Sequence, residues 1–469
     1  MKEKNDIKLS VIKGDKLFNE YTPFVINIIS PESKDMEKRS NADIICVIDI
    51  SGSMAGTKIN LVKKSLQVLI KLMGENDRIA LVLFNDSGTK DFDLTYCTNG
   101  KKRELNQKID EIKAGGGTNI LSGLKIAVDI LINDKDKSKN NRASSILLLS
   151  DGCDNQLSDF QLAQELKNLT KGKGLNFTLN TFGYGSDHDP KIMKKLASIR
   201  DGSFFFVDKY ENVVEFFGIV LGTCVSVISK KASLIVGLLN KNCEIVKVFG
   251  QEYFFNHDIQ KNFFTTTMLN FIGGKELNYV LEFEIDLKNV QIGEDLLSVD
   301  FIYLNKNNNF CKKSTIYKYS LEDINHKKAN EEYIRCQVYS VIDESLQLKE
   351  NLNNNKAKKI LNDMKNWLIK NNVNDDKKKL FIDDINKALD YYNNKKEFKS
   401  KGKADIINII YENKTERVSS VRTTYSNNVL NYYSSSSRRE FISPTKIKDK
   451  PKNEHINDKR GKNVNCSIF

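Results

Sequence analysis

The segment Ile44-Ile45-Cys46-Val47-Ile48 is apolar without interruption and runs into Asp49-Ile50-Ser51-Gly52-Ser53. A short apolar run of this kind reads as a strand buried on both faces, which is the habit of a central strand in a parallel sheet. Such a strand must be covered on each side, so helices are expected above and below it. A carboxylate and two hydroxyls then leave its end together at alternate positions. Oxygen-only donors suit a hard divalent cation such as Mg2+. Two further pieces lie downstream. Gly115-Gly116-Gly117-Thr118 places a hydroxyl on a tight loop, and Ser150-Asp151-Gly152 places a second carboxylate after the apolar run Ile146-Leu147-Leu148-Leu149.

Between and beyond these pieces the pattern alternates. Ile59, Val62, Leu66, Leu69, Ile70 and Met73 recur at helical spacing, as do Ile120, Leu121, Leu124, Ala127, Val128 and Leu131. Residues 79–84, 146–149 and 177–182 read as strands, and 160–169, 189–198 and 213–228 as helices. The expected fold is α/β, a doubly wound, mostly parallel sheet. In such sheets ligands bind outside the carboxyl ends of the strands, where Asp49 and Asp151 fall.

The set Asp49, Ser51, Ser53, Thr118 and Asp151 resembles the metal-ion-dependent adhesion site of the von Willebrand factor type A domain. The family pattern is Asp-x-Ser-x-Ser, then Thr, then Asp, and all five positions match over roughly residues 40–228. The resemblance implies a site for Mg2+ or Mn2+ whose open coordination position takes an Asp or Glu of a partner protein. It also implies that the last helix of the domain, 213–228 here, can shift when ligand binds.

The remaining length calls for more modules, since 469 residues exceed one ordinary core. From about 232 to 321 the runs become short and alternating, as in Tyr279-Val280-Leu281-Glu282-Phe283, which predicts an antiparallel β-sandwich. Strand-like pieces at 7–11 and 24–29 are expected to join it. Helical periodicity returns from about 323 to 394, with Asn-rich turns between stripes. The expected organisation is therefore 1–39 N-terminal strands, 40–228 the metal domain, 229–321 the sandwich, 322–396 a helical module and 397–469 a disordered basic tail.

Charge and cysteine usage narrow the setting. Net charge is +12, and the segment 395–469 carries 17 Lys/Arg against 8 Asp/Glu, so most of the excess sits there. The eight cysteines are scattered, with no C-x-x-C pair, and the four histidines stand apart from them. This reads as reduced, cytoplasmic usage with neither a disulfide framework nor a zinc site. The opening residues lack an apolar secretory segment. The chain ends Cys466-Ser467-Ile468-Phe469, which fits a prenylation box, and lysines upstream supply a second attraction to an anionic membrane surface. Nucleic acid is the less favoured partner of that tail, because its aromatics lie upstream of the densest lysines.

The function expected from these features is a non-enzymatic adaptor that binds protein through a metal. No histidine sits beside Ser51 to make it a nucleophile, and no lysine follows the glycine run at phosphate-loop spacing, so a Mg2+-dependent phosphohydrolase ranks below. The order of metal domain, sandwich and helices is also similar to intracellular type A proteins, many of which carry a RING or U-box. No such module is visible here, which leaves a ubiquitin-pathway scaffold as the alternative.

Overall fold

The structure is a computed structural model that describes residues 6–31, 41–135, 142–185, 190–207, 210–250, 257–260, 262–305, 309–321, 326–371 and 373–415. Two strands, β1 (Lys8–Lys13) and β2 (Thr22–Ile29), precede an alternating α/β part. That part runs β3 (Asn41–Asp49), α1 (Thr57–Leu72), β4 (Arg78–Phe84), β5 (Gly88–Tyr96), α2 (Asn99–Glu111), α3 (Ile120–Asn133), β6 (Arg142–Ser150), α4 (Asp159–Thr170), β7 (Phe177–Tyr184), α5 (Pro190–Ile199), β8 (Phe204–Val207) and α6 (Tyr210–Val225). Its sheet has the order β5-β4-β3-β6-β7-β8. All neighbours are parallel except β4 and β5.

Strand β3 explains the arrangement. Ala42, Ile44, Cys46 and Ile48 point into one core, shared with Val62 and Leu66 of α1 and Phe216 and Phe217 of α6. Ile45 and Val47 point into the other, shared with Leu124 of α3 and Leu162 of α4. Burying each such side chain contributes roughly 1.5–3 kcal/mol, so a strand apolar at every position is held only between two helical layers. The start of the strand is pinned by charge. The Arg78 guanidinium donates to Asp43 at 2.7 and 2.8 Å and to Asp134 at 2.9 Å, and Arg142 Nε donates to Asp43 at 2.6 Å. These buried pairs lock β3, β4 and β6 together at the end away from Asp49.

Beyond α6 the chain forms β9 (Val227–Ser229), β10 (Ala232–Leu238), β11 (Cys243–Val248), β12 (His257–Ile259), β13 (Phe263–Met268), β14 (Phe271–Ile272), β15 (Glu276–Ile285), β16 (Asp295–Leu304) and β17 (Phe310–Lys318). Two antiparallel sheets result, β1-β2-β15-β11 and β12-β13-β10-β16-β17. Phe24, Ile26 and Ile28 of β2 meet Leu234, Val236, Val299 and Phe301 in one core. The sequence reading of 213–228 as one helix is corrected here. The helix ends at Val225, and Val227–Ser229 pairs with Phe271–Ile272 as a separate ribbon. β-Branched Val227 and Ile228 suit a strand, but the partner that decides the matter lies far downstream.

The helical module comprises α7 (His326–Glu350), α8 (Asn354–Lys370), α9 (Asp375–Asn393), the short α10 (Lys395–Glu397) and α11 (Lys403–Thr415). The Asn-rich turns act as caps: Asn353 accepts from the Lys356 N–H, and Asn374 from the N–H groups of Asp376 and Lys377. Module α7 also covers the outer face of β2, where Tyr333 and Ala329 pack on Val25. The expected disorder from residue 397 onward is corrected as far as Thr415. Ile406, Ile409 and Ile410 are buried among α7, α8 and α9, and Tyr411 is buried in the α/β core, its hydroxyl donating to the Gly202 carbonyl at 3.1 Å. The polar composition of the whole segment masked the run Ile406–Tyr411. Cys466 and the basic residues from 416 onward lie outside the described residues. Among the described residues no helix is long and apolar enough to cross a membrane.

Candidate metal centre

Asp49 is the last residue of β3, and Asp151 follows the last residue of β6. These strands are neighbours, and from them the chain departs in opposite directions, β3 towards β4 and β6 towards β7. The two carboxylates therefore stand at the topological switch point of the sheet. Backbone hydrogen bonds stitch the surrounding loops. The Ile50 N–H donates to the Phe84 carbonyl at 2.8 Å, the Gly52 N–H to the Gly116 carbonyl at 2.9 Å, and the Gly115 N–H to the Ile50 carbonyl at 2.7 Å. The Asn155 N–H donates to the Thr118 carbonyl at 3.0 Å. The loops bearing Ser51 and Ser53, Thr118 and Asp151 are thus held against one another.

The glycines before Thr118 have a steric reason. A Cβ on Gly116, whose φ is +88°, would lie 2.7 Å from Asp86 Oδ2 and 2.9 Å from Asn85 Nδ2. The Gly117 N–H donates to Asp86 Oδ2 at 3.0 Å. Only glycine lets the loop after β4 close onto this one.

Asp49 has no exposed surface. Its Oδ1 accepts from the Ser51 N–H at 2.8 Å and its Oδ2 from the Ser150 hydroxyl at 2.6 Å. Burial pushes its carboxyl up to about 6, while the Ser150 and Ser51 hydrogen bonds pull it back. The Ser51 and Ser53 hydroxyls are 3.1 Å apart. Ser51, Thr118 and Asp151 are buried, whereas Ser53 and Gly52 are exposed, so the site opens to solvent on that side. Asp151 Oδ2 accepts from Lys58 Nζ at 3.0 Å, and its Oδ1 from the Cys153 N–H at 3.4 Å.

These residues fit a hard divalent cation. The donors are all oxygen, two carboxylates and three hydroxyls, which matches Mg2+ or Mn2+ and no soft metal. Burial disfavours the ionised form of Asp49, and a divalent cation held there would offset that cost. No group of three or more His, Cys, Asp or Glu gathers as a metal cluster among the described residues, so hydroxyls would carry the rest of the shell.

Four neighbours escaped the sequence reading. Ser150 bonds Asp49, Lys58 pairs with Asp151, Asp86 clamps the glycine loop, and Asp154 accepts from the Ile120 N–H at 2.8 Å at the start of α3. Ser150 is visible in hindsight as the hydroxyl directly before Asp151. Lys58 is a surface-type residue on the first turn of α1, and nothing in its spacing marks it.

Residues 43–218 match the family model of the von Willebrand factor type A domain. The chain carries a von Willebrand factor type A domain. Among proteins of known sequence, inter-alpha-trypsin inhibitor heavy chain H2 of Sus scrofa is 32% identical over 190 residues, covering 40% of this chain and 20% of that protein. The E3 ubiquitin-protein ligase WAV3 of Arabidopsis thaliana is 32% identical over 119 residues, covering 25% of this chain and 16% of the ligase. The match thus spans only a minor part of each of these relatives. Among solved structures, a von Willebrand factor type A protein from Catenulispora acidiphila superposes with a TM-score of 0.61 at 14% identity, covering 83% of this chain and 91% of that one. That likeness extends the shared fold beyond the type A domain into the antiparallel sheets and helices.

Proposed function

We propose that this chain is a divalent-metal-dependent protein-binding module that takes an acidic side chain of a partner at Asp49, Ser51, Ser53, Thr118 and Asp151. The observation that carries this reading is the stitching of three loops around two buried carboxylates, with Ser53 left open to solvent. Asp49 and Asp151 contribute the charge, and Ser51, Ser53 and Thr118 contribute neutral oxygens. Ser150 and the Ser51 N–H orient Asp49 so that its remaining lone pairs stay available. A divalent cation bound there supplies a Lewis-acidic position that a partner carboxylate completes. The Ser51 hydroxyl has the Ser53 hydroxyl beside it, and among the described residues no imidazole partners it, so a nucleophilic role for Ser51 draws no support there.

The test is affinity capture from native lysate in Mg2+, in EDTA and with the Asp49→Ala variant. Partners retained in Mg2+ and lost in both other arms support the reading. Partners unchanged in all three contradict it. The match to a plant ubiquitin ligase favours, as the second reading, a ubiquitin-pathway scaffold. Under that reading, ligases or ubiquitinated chains are captured and persist in EDTA.

A further inference from the structure

Thr118 and Asp151 reach the site on different loops. Thr118 ends the glycine loop just ahead of α3, and Asp151 begins the loop that leads from β6 into α4. The first helical N–H of α3 belongs to Ile120, and the helix itself offers that N–H no carbonyl. The cap residue Asn119 uses its side chain on the Ser122 N–H, at 3.1 Å. Ile120 is served instead from the other loop, where Asp154 Oδ2 accepts its N–H at 2.8 Å. The second oxygen of the same carboxylate, Oδ1, accepts the N–H groups of Gln156 and Leu157 at 2.7 and 2.8 Å. Its own loop thus fixes the plane of the group, and Oδ2 is aimed at α3 in advance. The positive end of the α3 macrodipole favours a carboxylate at that place. One residue on, the Asn155 N–H donates to the Thr118 carbonyl at 3.0 Å.

Thr118 therefore lies between two bridge points to the Asp151 loop, its own carbonyl and the N–H of Ile120. The hold from the opposite side is of another kind. The Asn119 N–H donates to the Asn85 carbonyl at 2.7 Å, and the Gly117 N–H to Asp86 Oδ2 at 3.0 Å. Those bonds tie the glycine loop to the end of β4, not to Asp151. Building on the metal-site reading above, we infer that Asp154 is a positioning residue, whose carboxylate sets the Thr118 hydroxyl against Asp151 and serves the cation through Thr118. Groups that hold a metal ligand in place in this way govern affinity without being ligands themselves.

The experiment is a Mn2+ titration of the metal-stripped full chain followed by electron paramagnetic resonance. It compares the wild type, Asp154→Ala, Thr118→Ala and the double variant, each checked for folding by circular dichroism. Asp154→Ala is expected to weaken Mn2+ binding roughly tenfold. Thr118→Ala weakens it at least as much, and the double variant no more than Thr118→Ala alone. A carboxylate acting on the cation by its own charge, or merely supporting the fold, would give losses that multiply in the double variant. Water-proton relaxation of the Mn2+-loaded proteins supplies a second readout. Water fills the position that the Thr118 hydroxyl leaves, so Asp154→Ala and Thr118→Ala raise the relaxation alike. Asp154→Asn keeps one acceptor oxygen and serves if the alanine variant folds poorly; any loss it causes also vanishes in the Thr118→Ala background. Losses that multiply overturn the inference, as does wild-type Mn2+ affinity in a folded Asp154→Ala. Wild-type affinity in Thr118→Ala overturns it too, because Asp154 would have nothing to act through. No Mn2+ uptake by the wild type would instead defeat the metal-site reading, and the inference would fall with it.

Discussion

At the residue scale the chain concentrates cost where it concentrates chemistry. Asp49 is fully buried and its carboxyl is pushed up to about 6, chiefly by desolvation. A proton and a metal compete for the same carboxylate, so metal affinity is expected to fall steeply once the pH drops below about 6. Measuring the Mg2+ dissociation constant between pH 5 and 8 checks this. An affinity independent of pH across that interval would remove Asp49 from the shell. The linkage to folding has the matching sign. A carboxyl raised in the folded state contributes stability that is present below its unfolded value of 3.8 and lost as the pH rises through about 6. The metal-free protein is therefore expected to give up stability over this interval, and a bound cation would restore it.

Among elements, α11 joins two parts of the molecule. Ile406, Ile409 and Ile410 face the helical module, while Tyr411 closes over α5. Beneath it Lys194 of α5 is buried, its ammonium 5.3 Å from the centre of the Phe204 ring and 5.4 Å from that of Tyr411, with no hydrogen-bond partner among the described residues. Burial holds its pKa well below the usual lysine value, with Glu412 and Asp405 opposing that shift. A lysine depressed in the folded state contributes stability that is present above 10.5 and lost as the pH falls. Lys194→Met, which keeps the aliphatic stem, is expected to raise the melting temperature at pH 7 and to raise it less at pH 10. Equal or lower melting at pH 7 would mean that the ring contacts outweigh the desolvation of the charge.

The same elements explain what sequence could and could not reveal. The run Ile44–Ile48 and the stripes of α1 and α3 are legible because packing on two layers writes an unbroken or 3.6-residue pattern. The edge strand β5 leaves almost none, since Phe92 is its one buried residue. The five oxygen-bearing residues proposed as a metal site stand out in the sequence because their side-chain types and glycines form a pattern. Lys58 and Ser150 are not, because their roles come from side chains meeting across loops and strands, which no spacing records.

For the whole molecule, the type A domain is tied to both of its neighbours. The last domain helix runs into β9, which pairs with β14 beside the sandwich, and α5 is covered by α11. The sandwich in turn rests on β2 from the start of the chain, paired with β15 from Glu276 to Ile285. Glu282 of β15 accepts from the Tyr333 hydroxyl at 2.5 Å and from Asn19 and Gln337 at 3.0 Å, so one buried carboxylate links the N-terminal segment, the sandwich and α7. A cation bound at Asp49 would stabilise this assembly only through its preference for the folded state. The most direct test of the account is isothermal titration of the metal-stripped full chain with Mg2+, beside Asp49→Ala checked for folding by circular dichroism. Saturable one-to-one binding in the wild type, absent from a folded Asp49→Ala, is the predicted result. Absence of binding in the wild type, or equal binding in the two, would contradict it.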